Sequence, residues 1–203
     1  PGVMLSSAAK EYMKVYGVLV GKKPLIFTNN DSGYETAIEF KKNGVNPIIL
    51  DTRSKPSSDI ITEAKDLNIE IKFSYVVVAA KGYKKVKSAD IAKISDDKKE
   101  LFNIENIECD CICVSGFWTP SIHLASQSGN KSKFNEKIDA FVPDKSKQKE
   151  NTIGSANGIF TLEETIKDAF DKGFDVSNKI TEKNIKVSAP TVVEKKSTEH
   201  DKF

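Results

Sequence analysis

Residues 24–51, PLIFTNNDSGYETAIEFKKNGVNPIILD, read as strand, tight turn, helix and strand, and this stretch constrains the rest of the chain. Leu25, Ile26 and Phe27 form a short apolar run of high strand propensity. Thr28-Asn29-Asn30-Asp31-Ser32-Gly33 is a turn in which Asn30 or Asp31 can cap a helix. Tyr34, Ala37, Ile38 and Phe40 then recur with helical period, and Asn43-Gly44 ends the helix. Ile48, Ile49 and Leu50 make a second strand that finishes in Asp51. A helix between two buried strands is a βαβ unit, and that crossover forces a parallel sheet. The predicted fold class is therefore α/β, a Rossmann-like three-layer domain on a central parallel sheet.

The same geometry is where a dinucleotide would sit. Its pyrophosphate lies on the helix N-terminus, and an acid ending the second strand takes the ribose hydroxyls. Asp51 is placed for the second task. The glycine-rich fingerprint would fall on Thr28, Asn30 and Gly33, so only its last glycine is present. Thr28 and Asn30 crowd the place where backbone should approach phosphate. Two readings stay open: a turn that binds a dinucleotide through Asn30, Gly33 and Asp51, and a Rossmann-like unit used as scaffold.

With 203 residues, 38% hydrophobic and 30% charged, the chain suits a soluble globular protein with one sizeable core. Its net charge of +2, with dispersed lysines, gives no nucleic-acid surface. No apolar run is long enough to cross a bilayer. The three cysteines, Cys109, Cys111 and Cys113, are expected on one face of a strand. A straight strand of this kind is a poor chelator and poor disulfide geometry, so they read as small buried side chains in a reducing cytosol that bind no metal.

Along the chain, Ser6 or Ser7 is expected to cap a helix running to about Tyr16. Arg53 lies in a polar loop and reads as solvated, although a loop arginine there could approach an adenosine 2′-phosphate. Residues 60–67 predict a short helix and residues 69–73 a strand. From Tyr75 the βαβ punctuation gives way to consecutive β-rich runs, which predict an antiparallel meander over about 75–107. Residues 109–115 return to the parallel sheet. Residues 121–151 carry a weak signal, with one helical turn near Ile122. The small-residue run 153–160 leads into a helix over about 161–170, with Thr161 and Glu164 as a capping box. Leu162, Thr165, Ile166, Ala169 and Phe170 are its expected buried side. Such a turn can present backbone N–H groups to phosphate, or be an ordinary tight turn. Beyond Gly173 the composition predicts a flexible tail or linker.

Four segments carry a family resemblance: PGVMLSSAAKEYMKVYGVLVGKKPLIFTNNDSGYETA, CDCICVSGFWTPSIHLASQSG, DAFVP and IGSANGIFTLEETIKDA. Together they resemble the central part of the alpha subunit of heterotetrameric sarcosine oxidase, over about residues 1–173. The resemblance implies a bacterial, cytoplasmic oxidoreductase. Its reaction turns sarcosine, oxygen and water into glycine, formaldehyde and hydrogen peroxide, or gives methylene-tetrahydrofolate when folate is present. It also implies FAD and FMN on a partner beta subunit, NAD in the intact alpha subunit, and gamma and delta partners. A folate-binding domain is implied at the C-terminal end of the alpha subunit.

The fold it implies is that of the pyridine-nucleotide domain of two-dinucleotide-domain disulfide oxidoreductases. The chain then reads as an excised piece: a lead-in helix (1–20), a Rossmann-like NAD(P)-binding-type domain (21–120), a return segment of the first dinucleotide domain (121–175), and a linker or tail (176–203). In related flavoproteins the return segment has an acid after its glycine that contacts the flavin. Ser155 and Ala156 stand there instead, which fits a domain that holds NAD. The NAD-lining residues carried over are Ala156, Asn157, Thr161 and Leu162. The expected role is a structural, dinucleotide-associated part of an oxidoreductase subunit, with no catalytic residue and an inactive isolated chain. The alternatives are a self-sufficient pyridine-nucleotide-binding module of a reductase, and a subunit-docking scaffold using Tyr12, Tyr16, Phe117 or Trp118.

Overall fold

A computed structural model describes residues 1–181 and 187–192. The expected tail at 182–186 and 193–203 lies outside these residues. The described chain divides into two compact units, one spanning Pro1–Phe117 and one beginning at Trp118.

The first unit contains β1 (Val3–Leu5), α1 (Ser6–Tyr16), β2 (Pro24–Thr28), α2 (Ser32–Lys42), β3 (Ile48–Asp51), α3 (Asp59–Asp66) and β4 (Glu70–Phe73). It continues with β5 (Tyr75–Lys81), β6 (Ser88–Ile94), β7 (Leu101–Glu108) and β8 (Cys111–Ser115). Five strands form a parallel sheet in the order β1-β8-β2-β3-β4. The meander β5-β6-β7 is a separate antiparallel sheet.

Alternation along the central strands builds the three layers. Ile26, Ile49, Cys111 and Cys113 face α1, α2 and α3, where they meet Ala9, Met13, Tyr34, Ala37, Phe40, Ile61 and Ala64. Leu25, Leu50 and Ile112 face the other way, onto Ala89 and Ile91 of the meander. With both faces covered, β2 and β3 read as unbroken apolar runs, as strands of a buried parallel sheet do.

Two local expectations are corrected. Neither Ser6 nor Ser7 caps α1. The stretch read as a lead-in pairs with β8 as a strand, so extended backbone reaches Leu5, which is the N-cap residue. The Ser6 hydroxyl is then buried without a partner. The three cysteines do not share one face. Asp110 breaks the strand, its carboxylate accepting the backbone N–H of Lys22 at 2.9 Å and of Lys23 at 2.8 Å. Cys109 therefore packs on the meander side, while Cys111 and Cys113 pack on the helix side with their sulfurs 3.6 Å apart.

The second unit contains α4 (His123–Gln127), β9 (Ser132–Asn135), β10 (Ala140–Pro143), a 3-10 turn (Gly154–Asn157) and α5 (Leu162–Thr181). β9 and β10 form an antiparallel hairpin that the polar sequence of β9 did not reveal. Across it Phe134 and Phe141 meet edge to face at 5.2 Å. The helix expected over 161–170 runs to Thr181, and Gly173 lies inside it with open space beside it. The expected buried side of α5 is not buried, because no residue of this helix falls in a core. Ala169, Phe170, Gly173 and Phe174 instead line a shallow groove of about 350 Å³.

Candidate functional site

Strands β2, β3 and β8 end at Thr28, Asp51 and Ser115, and these ends define the carboxyl edge of the parallel sheet. This is the edge where open α/β sheets bind ligands. A dinucleotide there needs free backbone N–H groups and room beside them. In the turn after β2 most of both is taken up by the turn's own groups.

The Thr28 hydroxyl donates to the Asn30 carbonyl at 2.7 Å and accepts the Asn30 N–H at 3.2 Å. The Asn30 amide donates to the Gly116 carbonyl at 2.7 Å and to the Asn29 side chain at 2.9 Å. The Asn30 side-chain oxygen accepts the Ser32 N–H at 2.9 Å and the Ser32 hydroxyl at 2.6 Å. Asn30, one of the two expected candidates, thus takes the first N–H of α2 from the position before Asp31, which is the N-cap residue. The Asn29 and Tyr34 N–H groups donate to the Ser115 and Asp31 carbonyls. Gly33 is required for a reason unlike the fingerprint's. A Cβ there would lie 2.6 Å from Thr28 Cβ, so the close approach is made by a side chain of the turn itself.

Asp51 ends β3 as expected, fully buried, and its carboxylate is filled from within. Tyr34 donates its hydroxyl at 2.6 Å. Arg53 contributes its N–H at 2.9 Å, Nε at 3.0 Å and Nη2 at 2.8 Å. Arg53 Nη1 reaches on to Asp31 at 2.9 Å. Arg53 is 5% exposed, so the reading of a solvated loop arginine is corrected. Asp31 makes no side-chain cap and is an ion-pair partner instead. Burial opposes the Arg53 charge, but hydrogen bonds and charge from Asp51, then Asp31, outweigh it and raise the pKa of the guanidinium. Burial, followed by the Asp51 charge, pushes the Tyr34 phenol far above its ordinary value, so it stays a neutral donor. These residues do not fit a dinucleotide: the Asn29, Asn30, Ser32 and Tyr34 amides and the Asp51 oxygens are already engaged.

Sequence reasoning missed the Arg53 role. The available signal was the Asp51-x-Arg53 spacing beside a polar turn carrying Asp31.

The other four expected residues lie in the second unit. Ala156 and Asn157 are half-buried in the 3-10 turn, Thr161 is exposed, and Leu162 is 52% exposed. Gly154 and Gly158 take left-handed φ of 59° and 83° on either side of that turn. The Gly154 N–H donates to Asp168 at 3.1 Å. The Thr161 hydroxyl accepts the Glu164 backbone N–H at 3.4 Å, one of the two bonds of the expected capping box, and the Glu164 carboxylate takes the Thr161 hydroxyl at 2.7 Å in place of its backbone N–H. Glu163, Glu164 and Asp168 make the start of α5 acidic, which disfavours phosphate, while the outer faces of Ala156 and Asn157 stay accessible. His123 is exposed, as are Tyr12 and Tyr16, whose rings lie 5.8 Å apart on α1.

No family model matches the chain. Among solved structures it is similar to thioredoxin reductase of Lactococcus lactis, with a TM-score of 0.62 and 15% identity over 89% of this chain and 57% of that one. The HOCl-induced flavoprotein disulfide reductase RclA of Escherichia coli gives a TM-score of 0.59 at 15% identity, over 89% of this chain and 39% of that one. These likenesses establish the fold. In sequence the chain is 29% identical to sarcosine oxidase subunit alpha of Corynebacterium sp. (strain P-1) over 79% of its own length. It is 32% identical to the Rhizobium meliloti (strain 1021) subunit over 70% of its length. It spans 16% and 13% of those two relatives. Over most of its length the chain is thus related in sequence to one segment of the sarcosine oxidase alpha subunit.

Proposed function

We propose that this chain serves as a structural, non-catalytic domain within an oxidoreductase subunit of the sarcosine oxidase alpha type. The observation that carries the reading is the closed carboxyl edge of the sheet. Most of its buried polar side chains engage one another, Asn29 Nδ2 and Thr52 Oγ1 excepted, so the edge holds a shape and has little left to offer a substrate. A catalytic site needs a nucleophile or base with capacity in reserve and a third group to orient it.

In this reading the larger assembly oxidises sarcosine to glycine in a bacterial cytoplasm. The flavins FAD and FMN belong to a beta subunit, gamma and delta subunits complete the assembly, and a folate-binding domain follows in the alpha subunit. NAD in the intact subunit is assigned to the exposed side of Ala156, Asn157, Thr161 and Leu162. The Asn30, Gly33 and Asp51 turn is assigned to scaffold. The accessible faces of Ala156 and Asn157 support this division, and the filled carboxylate of Asp51 opposes the reverse.

The test is calorimetry of the isolated chain with NAD, together with a sarcosine turnover assay. Weak or absent NAD affinity and no turnover are expected. Tight NAD binding that is lost in Asp51→Ala would promote the self-sufficient nucleotide module instead. Turnover of sarcosine would end the scaffold reading.

A further inference from the structure

We propose that the crevice at the carboxyl edge of the first unit is a cation site, selective for a planar guanidinium and occupied by the chain's own Arg53. The inference deepens the scaffold reading and rests on it. Two carboxylates, Asp31 and Asp51, face one guanidinium, and all three residues are at least nine-tenths buried. The Asp51 carboxylate takes Nε and Nη2 from one edge of the fork, and Asp31 takes Nη1 from the other. Two parallel N–H···O bonds to one carboxylate are the geometry in which a guanidinium exceeds a point charge. The Tyr34 ring lies 6.0 Å from the guanidinium carbon and closes one side. The hydroxyl of Tyr34 fixes the Asp51 carboxylate from behind.

The charge sense of the crevice is therefore opposite to that of a dinucleotide site. Without the guanidinium, two buried carboxylates would repel a pyrophosphate and attract a cation. Removal of Arg53 leaves a crevice that takes a guanidinium from solution and still refuses a dinucleotide.

The test is thermal unfolding of the full 203-residue chain and its Arg53→Ala variant. Each is measured with millimolar methylguanidinium, methylammonium, NAD or pyrophosphate at matched ionic strength. The variant is expected to lose roughly 10 °C or more. Methylguanidinium should raise its midpoint by about 3 °C or more and leave the unsubstituted chain unmoved. Methylammonium should do less, and NAD and pyrophosphate nothing. Adding Asp31→Asn to Arg53→Ala should weaken the methylguanidinium effect. Where Arg53→Ala does not fold alone, the folded yield on refolding with methylguanidinium is read against the same concentration of sodium chloride. Equal midpoints for variant and parent, rescue no better than by sodium chloride, or stabilisation of the variant by pyrophosphate or NAD would each overturn the proposal. NAD binding by the unsubstituted chain, lost in Asp51→Ala, would instead sink the scaffold reading, whatever the rescue arm gives.

Discussion

Two turns in this molecule look alike in sequence and differ in what they support. The turn after β2 and the turn over Gly154–Asn157 are both short, rich in small polar residues, and followed by a helix. The first leads into α2, where six of eleven residues are buried. The second leads into α5, where none of twenty is. The first turn is held by the side chains of Thr28, Asn30 and Ser32 against the ends of neighbouring strands. The second is held by hydrogen bonds at the start of the helix that follows it, through Asp168, Thr161 and Glu164, and by the close approach of Gly158 to Ile138 and Val142. A helix of this amphipathic kind draws most of its stability from tertiary packing, so α2 has that support and α5, in this chain, does not.

Substitution of core residues separates the two regions most sharply. Phe40→Ala in α2 removes a fully buried ring and should cost about 3–5 kcal/mol in urea unfolding of the first unit. A loss below about 1 kcal/mol would show that the helix packs no better than α5. Gly33→Ala should cost about 1–3 kcal/mol, because the new Cβ meets Thr28. Thr28→Gly in the same chain should return part of that loss, since it removes the Cβ and Oγ1 that the new methyl group meets. A double-mutant cycle with no coupling would mean that Gly33 is required for some other reason.

A smaller effect concerns alkaline pH. Burial, then the Asp110 charge, then Cys111, push the Cys109 thiol from its ordinary 9.0 up to about 11. A thiol raised on folding adds stability that is complete below pH 9 and is lost as pH rises toward 11. Cys109→Val should flatten part of the decline in stability across that window. An unchanged pH profile would remove Cys109 from the account. The smallest effect belongs to α5: Phe170→Ala should shift the unfolding midpoint by no more than about 0.5 kcal/mol equivalent. A cost approaching that of Phe40→Ala would break the comparison.

The parallel sheet was legible because its signals are local. Apolar runs, a polar turn and Asn43-Gly44 all lie within residues 24–51, and the loss of βαβ punctuation at Tyr75 marked the meander. What escaped depended on contacts remote in sequence or on one local break. Arg53 was read as solvated because Asp31, one of its two acids, lies on a different turn. The cysteines were assigned one face because alternation was counted from Cys109, before the break that Asp110 makes to hold Lys22 and Lys23. The β9–β10 hairpin was hidden by Ser132, Lys133 and Asn135, which carry polar side chains on a strand with little core behind it. The last helix was expected to end near Phe170 because a lysine- and glutamate-rich composition follows Gly173, but a glycine inside a helix lowers stability without ending it. Of the candidate site, the positions of Asn30 and Asp51 were readable, and the side chains that fill the site were not.

The order of strands in the sheet sets the order in which the first unit can assemble. β2 lies at its centre between β3 and β8, and β3 is available soon after β2 in the chain. The other neighbour arrives only at Cys111, after the whole meander, and residue 3 of β1 pairs with residue 112. Closing a pairing of that separation is slow, because chain entropy is lost before contacts reward it. Until β8 arrives, β2 has an unpaired apolar edge, the kind of edge that joins neighbouring chains. During synthesis the β2–β3 half of the sheet waits for its last strand, and that interval is when this domain is most exposed to aggregation.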